Sequence, residues 1–535
     1  MQITNVTIVG GGSSGWMTAA ALAKTCPKLN ITLVESPNIK TVGVGESTLG
    51  HINRFMGMLD LKDEDWMKPC NATYKNSIRF TNFREVDGKS FHYPFIRGFD
   101  FTDVHNGLQS WAECATLYPD EFPPETFSEM FAPSNTYLCD YGKQATGYDG
   151  KLRYYNIDAD TAYHMDAGLF GQYLKNNIAI PRGVKHIWNE IESCVKDEKG
   201  NITEITCIDG QKLTADLWID CTGFKSQILE GWMGSKFISY GNILANDKAW
   251  AVALPFTDRQ KQMVNYTDCH AINNGWVWTI PLWNRIGTGY VFSSKFISKE
   301  DALIEFKEHL AKSHDPDIVE KCQPRLVEIR HGKRESGWIN NVVGVGLSYG
   351  FVEPLESTGL LTTHENIIRL MDIFNRRDGY VSRMERENYN MVTSHVTDGF
   401  ASFVSMHYAY SKRTDTPYWQ WATQENHYEP TMNNPFKAQV DGFASNANQL
   451  AGHTYDPTQQ GGAFIMAGLG VKTVATPEIF QGYYKQIGKP LQEIENTRKQ
   501  FHRNKKLFKE YIDTLPTSYE YLRDNIYGGV DEHLG

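Results

Sequence analysis

Residues 3–35 read ITNVTIVGGGSSGWMTAAALAKTCPKLNITLVE, and the order of elements in this stretch decides the fold class. Ile3–Val9 is a short apolar strand. A loop, Gly10-Gly11-Gly12-Ser13-Ser14-Gly15, joins it to a helical run over Trp16–Lys24, and a second apolar strand ends at Glu35. A strand, a Gly10-x-Gly12-x-x-Gly15 turn, a helix and an acid twenty residues beyond Gly15 form a βαβ dinucleotide-binding pattern. Gly10 permits the tight turn, Gly12 lets the backbone approach a pyrophosphate, and Gly15 lets the helix lie close to the strand. The helix N-terminus then faces the phosphates, and Glu35 is placed to accept a ribose hydroxyl.

Further along, Val184–Gly223 alternates apolar and polar residues around Lys-Gly-Asn and Asp-Gly turns, which predicts a meander ending in the buried strand LWIDCTG. A third buried strand, NVVGVG at 341–346, precedes a long helical pattern, TTHENIIRLMDIFNRR. These elements favour FAD over NAD. Gly223 would close on the cofactor, the helix after residue 346 would bring a second N-terminus to the flavin ring, and no second nucleotide fingerprint exists for NAD(P)H. The expected class is α/β, a flavoprotein-monooxygenase-like core over residues 1–380. Substrate-facing insertions are expected at about 81–160 and 226–335, and a mainly helical subdomain over 381–535 completes the substrate site. Asn426–Gly462, rich in Asn, Gly, Pro and Gln, reads as irregular.

Composition narrows the function classes. The chain has 535 residues and a net charge of −10, so bulk attraction to nucleic acid or to an anionic membrane is not expected. No run reaches the roughly 18 apolar residues of a membrane span. Nine cysteines, an odd number without a CxxC pair, read as reduced thiols of a cytoplasmic protein. No histidine grouping has metal-ligand spacing, His395, His407 and His427 being scattered, so no metal site is expected. Aromatic residues are high at 13 %, which suggests an aromatic-lined site.

Four motifs together carry a family resemblance: Gly10–Gly15, Gly43-Val-Gly-Glu-Ser-Thr48, Trp276-Val-Trp-Thr-Ile-Pro281 and Phe351-Val-Glu-Pro-Leu-Glu-Ser-Thr-Gly359. They resemble those of the flavin-dependent halogenases of the tryptophan-halogenase type. The likeness runs to about residue 420 and resumes at Ala467-Gly-Leu-Gly470, and within the family the chain looks most like a marine cyanophage-encoded member.

The resemblance implies a division of labour. Lys75, in NATYKNSIRF, would meet hypohalous acid, either as an ammonium that polarises the halogen or, if burial lowers its pKa, as an amine that is itself halogenated. Glu356 would remove the ring proton of the arene, though a carboxylate there also suits a helix N-terminus. Thr358 and Gly359 would hold halide at that N-terminus, the plainer alternative being an N-cap by Ser357 or Thr358. Gly45, Glu46, Ser47, Ile187, Leu347 and Leu360 would join the cofactor site. Trp276 and Trp278, on one face of a strand, would with Pro281 bar the arene from the flavin, and His92 and Phe95 would stack on it.

The chain departs from members acting on free tryptophan between Pro430 and Met466, which contains neither Trp nor Glu. A grip for the amino acid's charged end is not visible there. The expected activity is halogenation of electron-rich arenes such as indoles and phenols, using FADH2 from a separate flavin reductase, O2 and halide. The oligomeric state stays open. The competing readings are a flavin-dependent aromatic hydroxylase and a non-catalytic flavoprotein descendant.

Overall fold

The computed structural model describes residues 1–39, 45–95, 110–147, 152, 155–426, 458–471, 477–478, 481–482, 485 and 491–529. The opening βαβ unit is present: β1 spans Asn5–Val9, α1 spans Ser13–Thr25 and β2 spans Asn30–Glu35. The helix begins three residues before the apolar run, because Ser13 and Ser14 occupy its first turn. Trp16, Met17 and Ala19–Leu22 are buried, and the three alanines let the helix lie close to its neighbours.

β1 is central in a six-stranded sheet whose order is Trp338–Ile339, Val342–Gly344, Leu217–Asp220, β1, β2, Lys185–Trp188. All pairs are parallel except the antiparallel edge strand Trp338–Ile339. The GGGSSG, DCTG and GLS loops therefore leave the same ends of three neighbouring strands, where open parallel sheets bind ligands. The expected meander is an antiparallel three-stranded sheet, Ile191–Lys196, Ile202–Cys207 and Lys212–Leu213.

The span 226–335 is rich in strands. It supplies Lys248–Leu254, Tyr266–Ile272, Gly275–Pro281, Ile286–Phe292 and Arg325–Glu328, most of a seven-stranded sheet completed by Ser77–Thr81 and Ser90–Pro94. This second sheet has its own aromatic core, in which Phe80, Phe91, Tyr93, Trp276, Trp278, Phe400, Phe403 and Phe464 are buried together. Between the sheets, Thr73–Lys75 pairs with Ala162–Met165, which pairs in turn with Glu46–Ser47.

Two long helices close the structure, Thr358–Arg376 and Arg383–Ala409, the latter started by a Ser382/Glu385 capping box. Within the stretch expected to be irregular, residues 427–457 lie outside the described residues, but Thr458–Gly468 is a helix. Its Gly461 sits where a Cβ would approach Phe403 to 2.7 Å and Tyr93 to 2.9 Å, so the glycine marks close packing and not a loop. The tail helices Gln492–Ile512 and Ser518–Asn525 return to the core. Tyr527 stacks on Trp283 at 3.8 Å and donates to the Ala72 carbonyl at 2.8 Å, bracing the strand that carries Lys75. All nine cysteines are free thiols. Among the described residues no helix is long and apolar enough to cross a membrane, and no cluster of His, Cys, Asp and Glu could hold a metal ion.

Candidate active site

The glycine loop has the shape of a phosphate cradle. Gly10 has φ +116°, and a Cβ there would lie 2.2 Å from the Cys221 carbonyl oxygen. At Gly15 a Cβ would lie 1.9 Å from the Gly10 oxygen, whereas at Gly12 it would meet nothing within 4 Å. The first and third glycines thus serve contacts inside the fold, and the second faces open space. No side chain caps α1 at Gly12, and the Ser13 hydroxyl is turned away to the Ala167 carbonyl. The free amides at this N-terminus fit a pyrophosphate.

Glu35 ends β2 beside this loop, so close that a Cβ on Gly11 would strike its Cγ at 2.1 Å. Its carboxylate lies 2.8 Å from His186 Nε2 and 3.4 Å from Lys175 Nζ, two partners the sequence did not signal. Ile187 sits in the edge strand paired with β2, opposite Val34. Gly223 has φ +67°, and Leu347 lies in the turn Gly346–Ser348. These turns are tied by Asp220, a fully buried carboxylate that was not singled out. It accepts from the Thr222, Ile228 and Leu229 amides at 2.8–2.9 Å and from the Ser348 hydroxyl at 3.0 Å. The Trp-Ile-Asp-Cys-Thr-Gly segment held the signal, an acid where a buried strand meets a turn.

The second centre lies where the two sheets meet. Lys75 is fully buried, and its Nζ donates to the Thr48 carbonyl at 2.8 Å and to Ser357 Oγ at 3.0 Å. The Phe95 ring lies beneath it, 5.0 Å from Nζ to centroid. Burial lowers its pKa from 10.5 to about 7, with Cys269 and Glu356 pulling the other way. Two of its three possible N–H directions are fixed by protein acceptors, so one direction, a proton or a lone pair, remains for a small molecule.

The Ser357 bond continues inward. Ser357 Oγ contacts Ser47 Oγ at 3.0 Å, Ser47 contacts Thr267 Oγ1 at 2.7 Å, and Thr267 contacts His164 Nε2 at 2.9 Å. His164 Nδ1 reaches Thr73 Oγ1 at 3.3 Å, and Thr73 donates to the Pro281 carbonyl at 2.7 Å. A carbonyl only accepts, so every proton along the chain points from Lys75 toward Pro281. Burial also holds His164 far below its ordinary pKa, in the neutral form that this direction requires. The Pro281 carbonyl is the terminal acceptor of this chain of bonds.

Glu356 is also fully buried, in the turn Pro354–Glu356 before the helix Thr358–Arg376. Burial raises its pKa, opposed by His407 and Lys75. Its Oε1 lies 2.6 Å from His407 Nε2, while Oε2 is buried with no partner among the described residues. Ser357 adopts φ +56° and makes no side-chain cap, so the N-terminus at Thr358 and Gly359 is uncapped. Thr358 Oγ1 is buried with no partner among the described residues. An orphaned hydroxyl beside free helix amides suits an anion, and the simple N-cap does not describe this turn. Leu360 is partly buried one residue on, packed against the first core. Glu46 is half-buried, its pKa raised to about 7 by desolvation and by Asp166, while Gly45 (φ +93°) leads the chain into Ser47.

Trp276 and Trp278 share a strand face with ring centroids 6.2 Å apart. Gly289, on the neighbouring strand, leaves room for the Trp278 ring, since a Cβ there would lie 2.1 Å from Cη2. His92 departs from the expected arrangement. Strand alternation over Ser90–Pro94 turns it away from Phe91 and Tyr93, and its Nδ1 lies 2.7 Å from Ser77 Oγ, its Nε2 3.1 Å from Asp140. The ring accompanying Phe95 is instead Tyr93, 5.8 Å away and packed on Phe403 and Phe464.

A glycine cradle at the ends of a parallel sheet, together with a buried amine, a buried carboxylate and an uncapped helix end, has the groups that a dinucleotide-dependent oxidoreductase needs. The tryptophan halogenase family profile matches residues 5–481, and the chain belongs to that family. It is 36 % identical to 7-chloro-L-tryptophan 6-halogenase KtzR of Kutzneria sp. (strain 744), over 77 % of this chain and 80 % of the relative. It is 30 % identical to tryptophan 7-halogenase RebH of Lentzea aerocolonigenes, over 98 % of each. Among solved structures, the VirX1 apo structure superposes with a TM-score of 0.90 at 50 % identity, covering 98 % of this chain and 100 % of that one. The protein is a flavin-dependent halogenase, and its family implies FAD and halide.

Proposed function

We propose that this enzyme halogenates electron-rich arenes such as indoles and phenols in preference to free tryptophan, with Lys75 directing hypohalous acid and Glu356 taking the ring proton. The supporting observation is a fully buried lysine, shifted to about 7, within electrostatic reach of a fully buried carboxylate whose Oε2 has no partner among the described residues. Reduced FAD, delivered by a separate reductase, would give two electrons to O2 and halide would give the other two, so that one oxygen atom leaves as water and the other as hypohalous acid. The glycine cradle Gly10–Gly15 holds the pyrophosphate, with Glu35 and Ile187 beside it and Gly45, Glu46, Ser47, Gly223, Leu347 and Leu360 lining the remainder. Thr358 and Gly359 hold the halide.

Lys75 accepts the hypohalous acid on its one free direction. Its other two directions are anchored to Thr48 and Ser357, so the halogen is presented toward Phe95 and the arene, and is not free to wander. Trp276 and Trp278 fill the wall that separates the arene from the flavin, which makes halide the first species oxidised. Glu356 Oε2 then removes the proton from the substituted ring carbon, in surroundings dry enough to strengthen its charge interactions.

The substrate preference rests on the sequence from Pro430 to Met466, which has no Trp and no Glu to grip an indole amino acid. The described end of that stretch is apolar, with Phe464 set against Tyr93, Phe127 and Phe131. The test is an assay with FAD, a flavin reductase, NADH and bromide over a panel of indoles, phenols and free tryptophan, read by mass. Brominated indoles and phenols should dominate. Equal turnover of tryptophan and simple indoles would overturn the preference, and halide-independent oxygenation would overturn the assignment of Lys75 and Glu356.

A further inference from the structure

His407 is fully buried on the helix Arg383–Ala409, and sequence spacing gave it no role. Its surroundings fix where its protons are. Nδ1 lies 3.0 Å from the Phe403 carbonyl, one helical turn earlier, and a carbonyl only accepts, so Nδ1 carries a proton. Nε2 lies 2.6 Å from Glu356 Oε1. A bare Nε2 facing a bare carboxylate oxygen at that distance would set two lone pairs against each other. One proton therefore always occupies the bridge, whichever atom formally owns it. The rings of Phe80 and Phe403, at 5.0 and 5.3 Å, enclose the imidazole, so water does not compete for the bridge.

We propose that His407 is the proton sink of ring substitution, coupled to the arene through the two oxygens of Glu356. This rests on Glu356 being the base, as proposed above. When halogen has added to the ring, the C–H bond at the substituted carbon breaks and its electron pair returns to the ring. The proton goes to Oε2, and in the same movement the bridging proton passes wholly from Oε1 to Nε2. Glu356 ends as a neutral carboxylic acid and His407 as an imidazolium, its two N–H groups held by the Phe403 carbonyl and by Oε1. One proton enters the dyad and none is created, so charge and atoms balance.

The arrangement answers a difficulty the burial creates. A carboxyl group in a dry pocket tends to keep its proton, and a protonated Glu356 cannot act as a base. With His407 behind it, Oε2 stays able to accept a proton even while the bridge proton rests on Oε1. Among the described residues the other ionisable groups near the dyad are few. Lys75 and Glu353 interact electrostatically with it, as do Tyr93 and Cys269. Glu353 is itself tied to Tyr408 and to Asn246, its pKa raised to about 7, and burial holds the Tyr93 and Cys269 protons in place. None of these groups has a hydrogen bond to Oε2, so His407 is the one positioned to relieve it.

His407→Gln and His407→Phe test the proposal in the full-length enzyme supplied with FAD, reductase, NADH and bromide. Three quantities are read: bromination of indole, bromination of indole deuterated at the substituted carbon, and oxidised bromide caught by an added activated β-diketone. Both variants should yield trapped oxidised bromide at the parental rate while kcat for indole falls about tenfold to a hundredfold at unchanged KM. A primary deuterium isotope effect on kcat, larger than in the parent, should accompany the loss, because proton removal becomes limiting. The acid side of the pH profile should move upward, Glu356 having lost the partner that keeps it usable. If trapped oxidant and arene product fall together, or if the isotope effect and pH profile stay parental, His407 is only a packing residue and the proposal fails. His407→Gln keeps a polar group of similar size, so a collapse confined to His407→Phe would leave the question to the glutamine variant. Failure of the underlying reading is separate: Glu356→Gln would then retain full arene bromination.

Discussion

Replacing Lys75 by Met should make the fold more stable near neutral pH while ending arene halogenation. The structure sets the size of the effect. Lys75 is fully buried and its ammonium titrates at about 7 in place of 10.5, the desolvation outweighing Cys269 and Glu356. At about 1.4 kcal/mol per pH unit, the difference corresponds to a cost of about 5 kcal/mol. Below pH 7 the group is charged in both folded and unfolded chains, so the whole cost is present. Between about pH 7 and 10.5 the unfolded chain holds the proton and the folded one does not, and stability rises with pH. Above 10.5 the amine is neutral in both states and the cost has gone. Methionine has a similar length and no charge, but it forfeits the bonds to Thr48 and Ser357, worth about 1 kcal/mol each. The net expectation is a gain of about 3 kcal/mol at about pH 6, turning to a loss of about 2 kcal/mol at the alkaline limit. Urea unfolding of flavin-free parent and variant, followed by tryptophan fluorescence across that pH range, measures the difference. A variant less stable than the parent at about pH 6, or a difference that does not change with pH, would refute a charged lysine held at a desolvation cost.

Glu356→Gln preserves shape and a polar contact with His407 but removes the base. Arene product should fall by about a hundredfold or more while oxidised halide is still released to an external trap. Gly12→Ala places a Cβ in open space, so its melting temperature should match the parent, yet FAD affinity measured by fluorescence titration should weaken by about tenfold, or 1.4 kcal/mol, because the methyl occupies the phosphate cradle. Normal FAD binding by that variant would remove Gly12 from the cofactor site. Gly289→Ala should destabilise by about 2 kcal/mol, since its Cβ meets both the Trp278 ring at 2.1 Å and the Trp250 carbonyl at 2.5 Å, and only the ring can move. An unchanged melting temperature would show that the tryptophan wall is looser than its geometry.

Much of the fold was legible because it is local. The apolar run of β1, the glycine turn, the helix and the acid of β2 lie within one stretch of 35 residues, and each is fixed by backbone sterics or short-range hydrogen bonding. The buried strands ending at Asp220 and Gly344 announced themselves in the same way, by composition and by the turn that follows. Read from residues alone, Glu356 suits a helix end and a lone lysine such as Lys75 carries no signal, and it is their motifs, through resemblance, that make them candidates. Their burial, the shifted lysine and the proton-bearing partners came from the packing of one sheet on another.

His92 and His407 show the limit from opposite sides. His92 stood in a promising motif, yet strand alternation turns it toward Ser77 and Asp140, a consequence of register that a motif does not encode. His407 stood in no motif, because its partner Glu356 is 51 residues away and the two meet only when the helix Arg383–Ala409 lies across the turn before Thr358. The same holds for Asp220 and for the chain from Lys75 through Ser357, Ser47 and Thr267 to His164, whose members come from distant parts of the sequence. The sequence by itself determined the βαβ cradle and the kinds of group available for the chemistry. Only the tertiary structure decided which of those groups are dry, which face each other, and where each proton rests, because desolvation and hydrogen-bond direction depend on neighbours the chain brings together from afar.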